Sequence, residues 1–510
     1  MSGESWRPPT VRVSGASVRA ALAPAVLRAL APADLVRWLV SRRWFGAKGR
    51  PPADARIVEV IPLELGEDRA VVTRLIVTNG AGLEQSYQLP LVALAREPRD
   101  AQDAAAVVAR VETTGERGVL LDALEDDAFR AWLGGAFAAG AGVEGDGARW
   151  TVEPVGDGER GLDAVRSEVG RAEQSNTSVR YGDRAMLKLF RRLEHGENPD
   201  VEIGAFLTTH TRFRHTPPLL GVIRYRDAAG ASYVTGMLSR LVAGARDGWA
   251  LALDAVRAAL AADAAPNEFA AESARLGRVT RELHGALASR PDTPGFRCDP
   301  ITGGDIDRWA GATRDTIDTA LTLLGERAGA LAAKHQPMAR AIAGRRAGVI
   351  ARLDAIVEDA HGALAAADPA SVPRKSRHHG DYHLGQLLRS EVGEWFVVDF
   401  EGEPSRPLAE RRALSSPMRD VAGMLRSFAY AAATGAAEAG GLGVDARTEI
   451  RSAHSERDVR AAFLRGYGAA DDDPLIELFE MEKMFYELSY ELNNRPEWVW
   501  IPLRGIARLF

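Results

Sequence analysis

The sequence predicts an α+β chain in two parts, strand-rich in its first half and helical in its second, and three observations carry that expectation. Apolar runs at Ile57 to Leu63, Ala70 to Val77 and Leu83 to Leu91 partly alternate, as antiparallel strands do. Beyond Gly244 the apolar positions recur at helical spacing almost to the end. A single strand-like cluster, from Ser376 to Phe400, interrupts that helical half. At 510 residues the chain is too long for one ordinary core.

In chain order, Ala31 to Val40 reads as a short helix and Ser41 to Arg50 as a basic loop. The three strands follow, and from Pro98 to Gly140 helical and strand-like stretches alternate. Gly134 to Gly147, rich in glycine and alanine, reads as a loose connection. Trp150 to Arg192 is strand-rich, with turns at Gly156–Gly158 and Gly182–Asp183. Val201 to Thr209 reads as a helix and Leu219 to Leu241 as strand. The expected division is residues 1–97, an N-terminal cap; 98–240, an intermediate part completing a strand-rich lobe; and 241–510, a helical lobe.

Hydrophobic residues make up 46% and charged residues 26%, a globular composition. The net charge is −6 with both signs mixed, which argues against a nucleic-acid partner needing a basic stripe. Cys298 is the one cysteine, so no intramolecular disulfide forms. Met1 to Arg12 lacks a signal-peptide core and no apolar run approaches the ~20 residues of a membrane span. A cytoplasmic protein without membrane attachment is expected.

The chemistry concentrates in His379-Gly380-Asp381-Tyr382-His383-Leu384-Gly385-Gln386, followed by a short hairpin and Asp399-Phe400-Glu401. In protein kinases a catalytic Asp precedes a metal-binding Asn by five positions, and a second metal-binding Asp follows a hairpin. Asp381 and Gln386 have that offset, and Asp399 holds the second position. Asp381 is the expected orienting base for an attacking hydroxyl, with His379 positioning it. Gln386 and Asp399 are the expected oxygen ligands of Mg²⁺, which holds the phosphates of ATP. Gln386 stands where most relatives of this fold carry Asn, with the same carbonyl on a longer arm. A lone Asp in a loop is usually a turn residue, and a lone His usually packs; the conjunction outweighs both readings. A bilobal, protein-kinase-like fold is therefore expected.

Lys188 lies in the apolar strand Ala185 to Phe190, which buries its stem. Glu202 follows near the start of a helix opened by Asn198-Pro199-Asp200. A strand Lys and a helix Glu form the phosphate-positioning pair of kinases. Before Lys188, the small polar run Ser175, Asn176, Thr177 and Ser178 could cover phosphates with amides and hydroxyls. The strand Tyr233 to Leu238 followed by Ser239 to Gly244 is positioned as a hinge whose backbone, at Met237 and Ser239, reads adenine. Gly156-Asp157-Gly158-Glu159-Arg160-Gly161 matches G-x-G-x-x-G but lacks a strand-to-helix setting, and its two acids would repel phosphate; it reads as a surface turn.

Pro474 to Asn493 reads as one helix with Asp473 as N-cap. Leu475, Leu478, Phe485, Leu488 and Leu492 form its core stripe, and Lys483, Tyr486 and Tyr490 share another face. An anonymous helix would simply half-bury those tyrosines. On the helical lobe, where an acceptor must lie, they become a candidate sugar face. Tyr430 is its expected fourth member and Arg508 a fifth.

Taken together, Arg43 to Arg50, Glu173 to Ser178, His379 to Gln386, Asp399 to Pro404, Arg419 to Phe428 and Tyr490 to Pro496 resemble the bacterial maltokinases, relatives of the aminoglycoside and choline kinases. The resemblance runs through most of the chain, and the last two segments lie outside the nucleotide chemistry. It implies ATP-dependent phosphorylation of maltose at its anomeric hydroxyl, giving maltose 1-phosphate for α-glucan synthesis, an N-terminal cap, and partnership with trehalose synthase. It also implies a sugar-side role for Glu401, where a glucosamine kinase would be expected to carry Asp. A glucosamine or other aminosugar kinase is the second expectation. A pseudokinase scaffold is the third, opposed by the joint presence of Lys188, Asp381, Gln386 and Asp399.

Overall fold

The computed structural model describes residues 6–46, 52–65, 68–156, 158–170, 175–261, 268–440 and 446–509. The chain divides into two compact units, Met1–Thr209 with Pro217–Ala243, and His210–Thr216 with Gly244–Phe510.

The first unit contains two sheets. Strands β1 (Thr10–Arg12), β2 (Pro52–Leu65), β3 (Asp68–Asn79), β4 (Glu84–Leu94), β5 (Val107–Glu112) and β6 (Arg117–Asp122) run in the order β1-β5-β6-β4-β3-β2. Helices α1 (Pro24–Arg28), α2 (Pro32–Val40) and α3 (Ala101–Ala106) accompany this sheet. The α2 helix begins at a proline in its first position and buries Leu35, Trp38 and Leu39. The core of the sheet includes Leu27, Trp38, Trp44, Phe45 and Tyr87. Because β6 pairs with β4 from Leu91 to Asp122, the first sheet extends to Asp122. The expected boundary at residue 97 therefore falls inside it, and the strand pairing supplies the correction.

The second sheet follows helix α4 (Asp127–Ala139). It comprises β7 (Ala141–Gly145), β8 (Ala148–Pro154), β9 (Ser167–Val169), β10 (Asn176–Tyr181), β11 (Ala185–Phe190), β13 (Leu219–Arg226) and β14 (Ser232–Arg240), ordered β7-β8-β13-β14-β11-β10-β9. Between β11 and helix α5 (Pro199–His210), the short β12 (Arg192–Leu193) crosses to the first sheet and pairs with β4. The loose connection expected over Gly134 to Gly147 is ordered instead. Helix α4 ends at Gly140, whose φ is 72°, and β7 turns into β8 through Asp146 and Gly147 at φ 53° and 77°. A two-residue hairpin with both φ positive is the tight turn that Asp-Gly favours. The sequence signal was the Asp-Gly pair rather than the glycine count. Gly156 and Gly158 form the expected turn, with Gly158 N–H donating to the Val155 carbonyl; Asp157 lies outside the described residues.

The second unit is helical: α6 (Gly248–Ala261), α7 (Glu268–Leu287), α8 (Gly303–Arg327), α9 (Gln336–Ala343), α10 (Arg346–Ala366), α11 (Leu408–Arg411), α12 (Met418–Gly440), α13 (Ala446–Tyr467), α14 (Pro474–Asn494) and α15 (Trp500–Ala507). Strand pairs β15 (Arg246–Asp247) with β18 (Leu387–Arg389), β18 with β19 (Trp395–Val397), and β16 (Asp299–Pro300) with β17 (Arg374–Lys375) complete it. The α14 helix is capped by Asp473, whose Oδ1 accepts from Leu475 and Ile476 N–H. Leu475, Leu478, Phe485, Leu488 and Leu492 are all buried in the core shared with α8 and α10. That buried stripe fixes the rotation of α14 and so decides where Lys483 points. Among the described residues, no helix is long and apolar enough to cross a membrane.

Candidate active site

In the first unit, register places the chemistry. Ser178 lies opposite Lys188 across β10 and β11, and Lys188 lies opposite Met237 on β14. Directly opposed residues share a face, so the three form one row. The Lys188 ammonium sits 3.1 Å from Asp200 Oδ2 and over the Phe190 ring. Asp200, two residues before the expected Glu202, was not singled out in the sequence. Its signal was the helix opening: Asn198 Oδ1 accepts from Asp200 N–H, and an acid in a first helical turn is favoured.

Asn176 and Ser178 lie on the lysine face, whereas Thr177 points the other way, its Oγ1 accepting from buried Arg191 at 2.8 Å. Ser175 precedes the strand; Glu173 and Gln174 lie outside the described residues, as do Ala47 to Arg50. Met237 and Ser239 do not offer free backbone for a hinge. They lie in β14, between β11 and β13, with Met237 paired to Lys188 and Val222 and Ser239 to Met186 and Leu219. A central strand uses its backbone groups in the ladders, so the turn that leaves the sheet comes after Arg240, within the expected Ser239 to Gly244 stretch.

In the second unit, the Asp381 loop is held by Asp420 from the first turn of α12. Asp420 accepts from His379 N–H at 2.7 Å, Gly380 N–H at 2.9 Å and His284 Nε2 at 3.0 Å. Burial would raise the Asp420 carboxyl, but the His284 hydrogen bond and the neighbouring histidines hold it well below the usual carboxylate range. Gly380 adopts φ 84°. The α12 helix passes so near the loop that a Cβ on Gly423 would lie 2.7 Å from the Tyr382 carbonyl, which only glycine permits. Asp420 lies in the quoted Arg419 to Phe428 segment, yet its role was not legible there.

His379 is buried with both ring nitrogens engaged. Nε2 donates to the Val398 carbonyl at 3.0 Å, and Nδ1 faces Asp381 N–H at 3.4 Å. Both ring nitrogens thus face backbone groups of the loop and of the segment before Asp399. Tyr382 is accommodated by Thr280, whose Oγ1 lies 2.9 Å from the phenol. Gln386 is tied to the segment before Asp399 by Val398 N–H donating to its backbone carbonyl, and its side-chain Nε2 lies 3.5 Å from His383 Nε2. Asp399 adopts φ 67°, a conformation few residues other than glycine take and one that concentrates at functional positions.

Lys483 joins the loop to α14. Its ammonium sits 3.2 Å from Asp381 Oδ1, 3.1 Å from Glu403 Oε1 and over the Tyr486 ring at 4.9 Å. Burial works against the lysine charge, but Asp381, Glu403 and Glu487 raise its pKa above the ordinary value. Burial alone would likewise raise Asp381, yet Lys483, His383 and His379 hold it below the usual range. The chain of ions continues from Glu403 to Arg406, from Arg406 to Glu482 and from Glu482 to Arg419. These groups, with Gly380, Tyr382 and Phe479, line a small cavity.

The expected sugar face therefore divides. Lys483 and Tyr486 reach the cavity. Tyr430 instead donates to Glu491 at 3.3 Å, Glu491 pairs with Arg495, and Arg495 covers the Tyr490 ring, which is 44% exposed. Arg508 is not brought to Asp381: it pairs with Glu456 at 3.4 Å in another groove, lined by α12, α13 and α15. A charged residue just past the last helix follows that helix's packing, which the sequence did not reveal. Glu401 lies in the turn after Phe400, where its carbonyl accepts from Arg411.

Comparison with known proteins matches residues 38–126 to the maltokinase N-terminal cap domain. A glucosamine kinase of Streptacidiphilus jiangxiensis is 28% identical over 448 residues, 77% of this chain and 92% of the relative. One from Mycolicibacterium smegmatis (strain ATCC 700084 / mc(2)155) is 29% identical over 351 residues, 66% of this chain and 78% of the relative. Residues 38–126 match the maltokinase N-terminal cap domain, and the chain resembles the glucosamine kinases along most of its length. A solved glucosamine kinase in complex with glucosamine, ADP and inorganic phosphate has a TM-score of 0.61 at 22% identity, covering 95% of this chain and 98% of that one. A further crystal form of glucosamine kinase gives 0.63 at 23%, covering the same 95% and 98%. At those identities the likeness is one of fold: a mixed α+β kinase-like architecture with a capped, strand-rich first part. The matched cap segment ends close to Asp122, where the first sheet ends.

Proposed function

We propose that the chain is an ATP-dependent sugar kinase whose acceptor is a neutral sugar, maltose, converted at its anomeric hydroxyl to maltose 1-phosphate with release of ADP. The observation that carries the reading is the ionised Asp381 on a braced loop, paired with Lys483 beside a cavity. As the acceptor oxygen attacks the γ-phosphorus, its proton passes to Asp381 and the bond from the γ-phosphorus to the β–γ bridging oxygen breaks. Lys188, held by Asp200, neutralises phosphate charge, while Asn176 and Ser178 cover the phosphates from the same face. Gln386 and Asp399 offer a carbonyl and a carboxylate, hard oxygen donors of the kind Mg²⁺ takes, and the ion when bound offsets the charge of the phosphates.

Support for an uncharged acceptor comes from the ion pairing. Asp381, Glu403 and Glu482 are each already matched by Lys483, Arg406 or Arg419. A sugar ammonium would meet three cations and find these carboxylates occupied. Support for maltose comes from the cap and from the resemblance of Asp399 to Pro404, Arg419 to Phe428 and Tyr490 to Pro496 to bacterial maltokinases. On this reading the enzyme is cytoplasmic, works with trehalose synthase and supplies α-glucan synthesis. A second reading, glucosamine as acceptor, is favoured by the names of the relatives that match most of the chain.

ATP consumption measured with maltose, glucosamine and glucose, with the product position fixed by ³¹P–¹H NMR, tests the proposal. Turnover highest on maltose, with phosphate on its anomeric carbon, is expected. Preference for glucosamine would select the second reading, and no sugar-dependent turnover would sink both.

A further inference from the structure

Arg191 is 1% exposed, among the most buried charged residues of the molecule, and no step of the proposed chemistry uses it. It stands between β11, which carries Lys188, and β12, which pairs with the first sheet. Its guanidinium joins the two sheets. Nη2 donates to Asp122 Oδ2 at 2.7 Å at the end of β6, and Nε donates to Thr177 Oγ1 at 2.8 Å on β10. Its Cζ lies 4.8 Å from the Trp44 ring centroid, and Nη1 is buried without a partner among the described residues. Around this junction Gln88 donates its side-chain N–H to the Phe190 carbonyl at 2.8 Å, and its backbone N–H to the Arg191 carbonyl at 2.8 Å.

A buried ion pair with one donor left over is a poor way to hold two sheets together, since apolar side chains of similar volume commonly do as well or better. What the planar fork supplies is direction. It grips Thr177, and Thr177 stands between Asn176 and Ser178, which face the lysine row from the other side of the strand. Fixing the middle residue from behind fixes its two neighbours in front.

We infer that Arg191 is a positioning residue through which the first sheet, by Asp122 and Trp44, sets the geometry of the Asn176–Ser178 strand over the nucleotide phosphates. The inference rests on the ATP reading and assigns the cap a part in it: nucleotide affinity is controlled from the cap side. Arg191 touches neither ATP nor sugar.

The test measures Mg·ADP binding by calorimetry and the KM values for ATP and sugar in the full chain. Arg191→Lys keeps the charge but loses the fork, and Thr177→Val keeps the shape but loses the acceptor. Each should weaken Mg·ADP by about tenfold, the scale of a lost hydrogen bond to a charged group, with the sugar KM unchanged. Because both act through one contact, the double variant should bind no more weakly than the weaker single variant. Should Arg191→Lys fail to fold, Thr177→Val alone decides, since it leaves the Arg191–Asp122 pair in place. Normal nucleotide affinity in the folded variants, or equal losses in the ATP and sugar KM values, would overturn the inference while leaving the kinase reading intact. A wild-type chain that binds no nucleotide would overturn both.

Discussion

The two units hold their functional groups by different physical means. In the strand-rich unit, Ser178, Lys188 and Met237 are aligned by backbone ladders, so their relation follows from register alone. In the helical unit, Asp381 is placed by side chains: Asp420 grips the loop beneath it, and Lys483 reaches it from 102 residues away. A register can be lost only by slipping a strand, which would turn every side chain to the other face. A charge network can be opened at one atom. The strand side should therefore lose about tenfold at most on single substitution, whereas the helical side should respond more sharply to the loss of a single charge.

The sharpest break in that comparison is Asp381→Asn. It keeps the shape of the side chain, removes the proton acceptor and leaves Lys483 paired only with Glu403. General-base contributions are ~10²–10⁴-fold, and kcat is expected to fall by that order. Nucleotide affinity, set on the strands, should hold. Turnover and Mg·ADP binding measured on the same preparation check the split; a parallel loss of both would erase the division between the units.

Asp420→Asn comes next, acting through the loop rather than the substrate. Its carboxyl has a folded-state pKa below the unfolded value, so on acidification the unfolded chain takes the proton first. The stability it contributes is present above the unfolded pKa of ~3.9 and is lost as pH falls below it. The variant should be less stable near neutrality, where a hydrogen bond to a charged group contributes about 1.5–3 kcal/mol. It should also lack part of the wild-type loss of stability on acidification. Urea midpoints between pH 3.5 and 7 test both points, and parallel wild-type and variant curves would remove Asp420 from the anchoring role.

This contrast also explains what the sequence could and could not say. The strands around Lys188, the helix from Pro474 and the spacing of Asp381, Gln386 and Asp399 were legible because each depends on neighbours within one element or loop. Asp200 and Asp420 were not singled out, because an acid near the start of a helix reads first as a cap. The pairing of Met237 and Ser239 within the sheet was not legible, because a strand's outer neighbours are invisible in its own residues. Arg191 reads as the polar end of an apolar strand; its burial depends on Asp122, 69 residues earlier in the chain. The sequence thus carries local order well, while long-range ion pairs need the fold.

The smallest effect tests the division of the sugar face along one helix. Tyr486 and Tyr490 lie one turn apart on α14, and periodicity alone makes them equivalent. The surroundings separate them. Tyr486 is half-buried, lies under the Lys483 ammonium and lines the Asp381 cavity. Tyr490 is exposed and covered by Arg495. A neutral hydrogen bond contributes about 0.5–1.5 kcal/mol, so Tyr486→Phe should raise the sugar KM by roughly two- to twelvefold if its hydroxyl serves the acceptor. Tyr490→Phe should leave both KM values within error. Replacing Tyr490 with alanine adds a harsher control, because it also removes the ring against Arg495 and should still spare the sugar. A rise in sugar KM from Tyr490→Phe, matched to that of Tyr486→Phe, would mean that the acceptor extends along α14 to Glu491 and that the two clusters form one surface.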